Sequence, residues 1–186
     1  MREIEIKARV ANKQALIGRL LQQGIEVSDP VTQHDRVFGM IGPNEDDGGD
    51  NDLPWLRIRS EIHAEDTRHI FTFKKSVTNQ MDSIEHETEV FDDSELEKII
   101  TRLGFVPYSD LVKTRQKARL GDIEICIDSV DGLGDFIEVE KLTEDQVDYD
   151  VVALELWSVL NDLSISRDDH VTDGYDVMMN KLLAGN

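Results

Sequence analysis

Glu3, Glu5 and Lys7 stand at alternate positions of the opening stretch REIEIKAR, with Ile4, Ile6 and Ala8 between them. The same period of two recurs downstream. Arg57 and Arg59 alternate with Leu56 and Ile58, and Thr72 and Lys74 with Phe71 and Phe73. Glu85, Glu87 and Glu89 share one parity, as do Lys113, Arg115 and Lys117, and Glu138 and Glu140 alternate with Ile137 and Val139. A β-strand points successive side chains to opposite faces, so each run gathers its charges on one side. Acidic faces of this kind can hold a hard divalent cation such as Mg2+ or Mn2+, which takes oxygen ligands. Basic faces can clamp phosphates, arginine through its forked donors and lysine as a point charge. The two together suit phosphoryl chemistry, in which fixed cations and a metal neutralise charge on the transferring group.

Periodicity leaves open which face is inside. Turned outward, these are ordinary solvated faces whose cross-strand pairs contribute about 0.2–1 kcal/mol each. Turned inward, the charges require partners, hydrogen bonds or a charged ligand.

The elements that position them follow from the same reading. A helix is expected over NKQALIGRLLQQG, with Leu16, Ile17, Leu20 and Leu21 on one face and Gly24 as its stop. Strands are expected at QHDRVFGM, WLRIRS, HIFTFKKS, IEHETEV, VKTRQKARL, DIEICIDSV and DFIEVEKL, the last two joined by a DGLG turn. Between the strands ending at Val90 and starting at Val112, SELEKIITRLG reads as a helix opened by a Ser94–Glu97 capping box. Residues 42–52, GPNEDDGGDND, read as an acidic loop, a candidate lid at a pocket mouth and not an EF-hand. Two helices, DVVALELWSVLNDL and GYDVMMNKLL, end the chain. Many antiparallel strands with helices at intervals predict an α+β fold around a strongly curved or closed sheet, in a single domain over residues 1–186.

Net charge excludes some partners. With 39 acidic against 20 basic residues, the chain is not a general nucleic-acid binder, which would need clustered lysine and arginine. Charges from Arg2 onward and the lack of a long apolar run predict neither a signal peptide nor a membrane span. The single cysteine, Cys126, reads as a buried thiol of a reducing cytoplasmic compartment. The five histidines lack metal-ligand spacing and no GxxxxGK loop occurs, so phosphate binding would rest on side chains.

The ordered blocks Glu3-x-Glu5-x-Lys7, LRIR at 56–59, FTFK at 71–74, EHETEV at 85–90, VKTRQKARL at 112–120 and DSVDGLGDFIEVE at 128–140 resemble the CYTH superfamily of triphosphate tunnel metalloenzymes. The last block is similar to the CyaB-like, class IV adenylyl cyclase branch. The resemblance implies a closed eight-stranded antiparallel β-barrel, a tunnel with flanking helices and a charged interior. Carried over by position, it implies metal ligation by Glu3, Glu5, Asp128, Glu138 and Glu140. Substrate binding falls to Lys7, Arg57, Arg59, Lys74, Glu87, Glu89, Lys113 and Arg115, and the catalytic set to Glu3, Glu5, Lys113, Glu138 and Glu140. The implied reaction is conversion of ATP to cyclic AMP and pyrophosphate with Mg2+ or Mn2+, in a protein that forms a homodimer. Hydrolysis of inorganic, thiamine or nucleoside triphosphate is the alternative, and a non-catalytic polyphosphate-binding module a third reading. Lys75, Ile84 and Gly174 depart from the family pattern.

Overall fold

The computed structural model describes residues 2–40, 53–144 and 146–185. The acidic run at 42–52, read above as a loop and candidate lid, lies outside them. In chain order the elements are β1 (Arg2–Arg9), α1 (Lys13–Gln22), β2 (Val31–Met40), β3 (Trp55–Ile62), β4 (Thr67–Asn79), β5 (Asp82–Val90), α2 (Asp93–Arg102), β6 (Phe105–Leu120), β7 (Ile123–Val130), β8 (Gly134–Thr143), α3 (Tyr149–Asp162), β9 (His170–Val171) and α4 (Tyr175–Ala184). A short 3-10 turn, Arg167–Asp169, precedes β9.

Every strand pairing is antiparallel, and the order β5-β4-β3-β2-β6-β7-β8-β1 closes on itself where β1 meets β5. This seam is short, with Arg2 opposite Ile84, Glu3 opposite Ser83 and Ile4 opposite Asp82. Beyond it, β9 takes up the same edge of β1, opposite Lys7 and Ala8. Closure leaves an eight-stranded barrel without a free edge. A buried fork fastens the seam: Arg2 Nε and Nη2 donate to the two oxygens of Asp82 at 2.6 and 2.9 Å, and Arg2 Nη1 donates to the Val147 carbonyl at 2.7 Å.

Two of the three hydrophobic clusters lie outside the barrel. Ile4 and Ile6 of β1, Ile125 and Ile127 of β7, and Ile137 and Val139 of β8 pack against Leu16 and Leu20 of α1 and Leu156 and Leu160 of α3. These β-branched residues fit the pleated sheet while leucines serve the helices. On the opposite side Phe38, Leu56 and Ile58 bury against Ile100 and Leu96 of α2. With apolar faces turned to the helices, the period of two forces the charged faces inward. The third cluster joins Leu111, Val130 and Phe136 to Tyr175, Met178 and Met179, so α4 packs against the interior faces of β6, β7 and β8.

Three elements depart from the expectations above. The N-cap of α2 is Asp92, whose carboxylate accepts from the Glu95 amide at 2.9 Å; Ser94 donates to Asp92, and Glu97 accepts instead from Arg36 Nη1 at 2.5 Å. The Asp92 side chain reaches the orphan amide of the first turn, which leaves no capping role for Ser94. Strand β6 begins at Phe105, well before Val112, because its first half pairs with β2 up to Met40. Pro107 had masked that half, and it sits where the register shifts opposite Phe38, a site where its missing N–H is tolerated. The two-residue β9 is too short to leave a periodic signal.

Candidate active site in the barrel interior

One cavity runs inside the barrel, lined by Glu3, Glu5, Lys7, Arg57, Arg59, Lys74, Glu87, Lys113, Arg115, Glu138 and Glu140 among others. Among the described residues, eight carboxylates and seven cationic side chains line it. Register explains how they are grouped. Glu5 on β1 faces Glu140 on β8, and Glu140 faces Glu124 on β7. The next rung inverts the signs, with Lys7 opposite Glu138.

The ligand oxygens of Glu3, Glu5 and Glu140 lie within 4.8 Å of one another. Burial pushes the Glu3 carboxyl up to about 7, with Glu85 and Glu5 adding to the rise against the pull of Lys74. Burial, and then the charges of Glu3, Glu5 and Glu138, hold Glu140 well above the carboxylate range despite Arg115. Three desolvated carboxylates so close together repel one another, and among the described residues Glu140 forms no ion pair with a cationic side chain. A hard divalent cation with oxygen ligands fits this donor set. Glu140 also belongs to a second group with Glu124 and Cys126, but Lys117 holds Glu124 at 2.5 Å. Cys126 is fully buried.

The cations are tied to carboxylates. Lys74 Nζ lies 3.1 Å from Glu3, 3.2 Å from Glu85 and 3.9 Å from Glu5, so an ammonium stands beside the acidic group. Lys7 Nζ lies 3.2 Å from Glu138 and 3.5 Å from Glu5, over the Tyr175 ring. Arg57 Nη2 reaches Thr72, Glu85 and Glu87 at 3.1, 3.4 and 3.0 Å. Arg59 grips Asp35, and Arg115 grips Asp128, each through Nε and Nη2; Arg115 Nη2 also donates to Glu138. Burial raises Asp35, but the Arg59 charge and hydrogen bonds outweigh it and hold the carboxyl below its usual range. Lys113 is the exception among the cations. Burial, with the charges of Arg115 and Arg59, lowers its pKa although Asp128 is 3.3 Å away.

Three residues named from the sequence as ligands stand apart. Of these, Glu138 lines the cavity but is paired with Lys7 and Arg115 and is not grouped with Glu3, Glu5 and Glu140. Glu89 is on the exposed end of β5, where it accepts from Arg68 Nη2 at 3.0 Å, and it does not line the cavity. Asp128 is fully buried behind Arg115 and is not grouped with Glu3, Glu5 and Glu140. Other lining residues were given no role in the site. Glu85 and Lys117 belong to the charged faces noted in the sequence, and that parity alone places them in the lining. Asp35 alternates with uncharged Gln33 and Val37, so no run of like charges marks it. Tyr175 and Asp176 come from the start of α4, where strand periodicity has no bearing. None of the five histidines lines the cavity.

A family model described as CYTH domain matches residues 1–175. A protein of Methanocaldococcus jannaschii described as a "putative adenylate cyclase" is 29% identical over 177 residues, which cover 94% of this chain and 97% of that one. The solved structure of a "putative adenylate cyclase" from Vibrio parahaemolyticus superposes with a TM-score of 0.78 at 19% identity, covering 96% of this chain and 97% of that chain. A Hippeastrum protein, a "putative adenylyl cyclase" described as having a dominant triphosphatase activity, superposes with a TM-score of 0.60 at 16% identity, covering 100% and 96% of the two chains. Among the described residues no helix is long and apolar enough to cross a membrane.

Proposed function

Because the chain belongs to the CYTH domain family, we propose that its charged tunnel binds ATP with a divalent metal, Mg2+ or Mn2+, and converts it to cyclic AMP and pyrophosphate, as in class IV adenylyl cyclases. The observation that carries this reading is the presence of a three-carboxylate group and a set of cationic side chains, buried Arg59, Lys113 and Arg115 among them, inside one cavity. Glu3, Glu5 and Glu140 would hold the ion, which supplies positive charge beside the phosphates and the reacting oxygens.

Charge balance supports metal dependence. Counted as fully ionised, the lining has one more carboxylate than cations among the described residues. A triphosphate adds several negative charges, which the lining alone does not offset. A metal held by Glu3 and Glu5 would compete with Lys74 and Lys7 for those carboxylates, leaving both ammonium groups as donors to phosphate oxygens. Arg57, Arg59, Lys113 and Arg115 stabilise the charge that builds on pyrophosphate as the ribose 3′ hydroxyl gives its proton to solvent, its oxygen bonds to the α-phosphorus and the bond to the leaving group breaks. The protons of the lysines and arginines stay in place in that role.

The DSVDGLGDFIEVE block at 128–140 and the cyclase description of the Methanocaldococcus relative favour cyclisation. The Hippeastrum protein favours a second reading, hydrolysis of a triphosphate in the same tunnel. Purified protein given Mg2+ or Mn2+ and, separately, ATP or inorganic tripolyphosphate separates them once products are resolved by chromatography. Cyclic AMP with pyrophosphate is expected. Orthophosphate without cyclic AMP moves the protein to the triphosphatases, and consumption of neither substrate overturns the enzymatic reading.

A further inference from the structure

Asp35 and Arg59 are direct cross-strand partners on β2 and β3, and Asp128 and Arg115 are direct partners on β7 and β6. Both pairs form the same fork. Arg59 Nε and Nη2 donate to Asp35 Oδ1 and Oδ2 at 2.7 and 2.8 Å; Arg115 Nε and Nη2 donate to Asp128 Oδ1 and Oδ2 at 2.7 and 2.5 Å. In each, the aspartate takes the Nε edge of the guanidinium and leaves the Nη1 donors for another partner. Asp35 and Arg59 both line the cavity and are both more than nine-tenths buried.

We propose that Asp35 is a positioning residue: it fixes the Arg59 guanidinium by its Nε edge so that the Nη1 donors meet a phosphate of the bound triphosphate. This rests on the reading of the cavity as a triphosphate site. Two roles for a carboxylate beside a phosphate-binding arginine predict opposite signs. If Asp35 only offset positive charge, its negative charge would weaken phosphate binding and any loss of it would tighten the complex. If it positions Arg59, displacing the carboxylate weakens binding even when its charge is retained. A bidentate fork restricts the guanidinium to one plane and one edge, which a single contact would not do.

The test is calorimetric titration with inorganic tripolyphosphate in Mg2+, on wild type, Asp35→Glu, Arg59→Met and the double variant. Asp35→Glu keeps the charge and moves it by one methylene, so positioning predicts an affinity loss of about tenfold or more. The same substitution in the Arg59→Met background should then add almost nothing, because the group it acts through is gone. A general structural role predicts an equal loss in both backgrounds. Should Asp35→Glu fail to fold, Asp35→Asn replaces it; positioning predicts weaker binding there too, and charge screening predicts tighter binding. Unchanged or tighter binding in either variant, or an undiminished loss in the Arg59→Met background, overturns the inference. Failure of wild type to bind tripolyphosphate is a different result, which overturns the site reading and the inference with it.

Discussion

Glu5 and Glu140 face each other directly across β1 and β8, two carboxylates in register on the interior of a closed barrel. Like charges directly opposite on neighbouring strands destabilise a sheet. Glu3 completes the group from two residues away on β1, and Lys74 from β4 is the cation nearest to it. A fold that only needed to close would place an apolar or oppositely charged residue at position 140. The arrangement costs stability and makes sense as a donor set for a cation that arrives with the substrate.

Glu140→Gln should therefore raise the stability of the metal-free protein, by about 1 kcal/mol from relief of like-charge repulsion. The same change should remove the rise in melting temperature that Mg2+ or Mn2+ gives wild type, together with metal-dependent turnover. Thermal unfolding with and without metal measures both. An unchanged metal response in Glu140→Gln would remove this residue from the donor set.

The metal-free protein should lose stability as pH rises from about 4.5 to 7. Glu3 has its usual value near 4.5 in the unfolded chain and is pushed up to about 7 in the fold, so the folded state holds the extra proton in that window. Its contribution is complete below 4.5 and gone above 7, with a slope up to about 1.4 kcal/mol per pH unit for one proton. The upward shift of Glu140 has the same sign. His170, lowered by burial and Arg167, opposes it with a single proton. Below pH 4.5 the sign reverses, because Glu85, which Lys74 and Arg57 hold near 2 against the effect of burial, stabilises the fold only while ionised. Melting temperatures in a chelator should thus peak near pH 4.5–5, and excess Mg2+ should flatten the slope above the peak.

The barrel and most of its lining were legible because one rule governs both. Wherever Ile, Val, Leu or Phe alternates with Glu, Lys or Arg, the register of the apolar face fixes the charged face, as at Ile4–Lys7 and Ile137–Glu140. What alternation does not carry is which of the two faces turns inward, since α1 and α3 decide that by covering Ile6, Ile125 and Ile137. Period also fails at strand ends. Glu89 has the parity of Glu85 and Glu87, yet β5 has by then left the cavity and Arg68 meets it in solvent. Asp128 matches a family acid in sequence, but its neighbour across the sheet is Arg115, whose bidentate grip takes both of its oxygens, and it is not grouped with Glu3, Glu5 and Glu140.

Lys113→Met should stabilise the protein and impair it. Burial and the charges of Arg115 and Arg59 disfavour the Lys113 ammonium, and its contact with Asp128 at 3.3 Å is shared with the Arg115 fork. An apolar side chain of similar length removes that penalty, so the melting temperature should rise by a few degrees, about 1 kcal/mol. The affinity for Mg-tripolyphosphate should fall at least tenfold, since one buried phosphate donor is lost. Stability and binding moving in opposite directions is the signature of a cation retained for a ligand.

The seam between β1 and β5 is the place where one substitution should open the barrel. Among the described residues three pairs join these strands, and the buried Arg2–Asp82 fork, reinforced by Thr78 Oγ1 at 2.6 Å from Asp82, helps to hold them. Asp82→Asn removes the charge from one buried partner of the Arg2 guanidinium and weakens a charge-assisted fork, which costs about 1.5–3 kcal/mol, or roughly 5 °C in a domain of this size. Lys98→Ala, which removes an exposed pair with Glu95 on α2, should cost less than about 0.5 kcal/mol and serves as the control. Hydrogen exchange should accelerate first at the Glu5 amide, which donates to Met81 across the gap at 2.9 Å. Because Glu3 sits between Arg2 and Ile4 on the seam, Asp82→Asn should also weaken metal binding, although Asp82 is not a member of the acidic group. Metal affinity unchanged in a protein destabilised by this amount would mean that Glu5 and Glu140 hold the ion without Glu3.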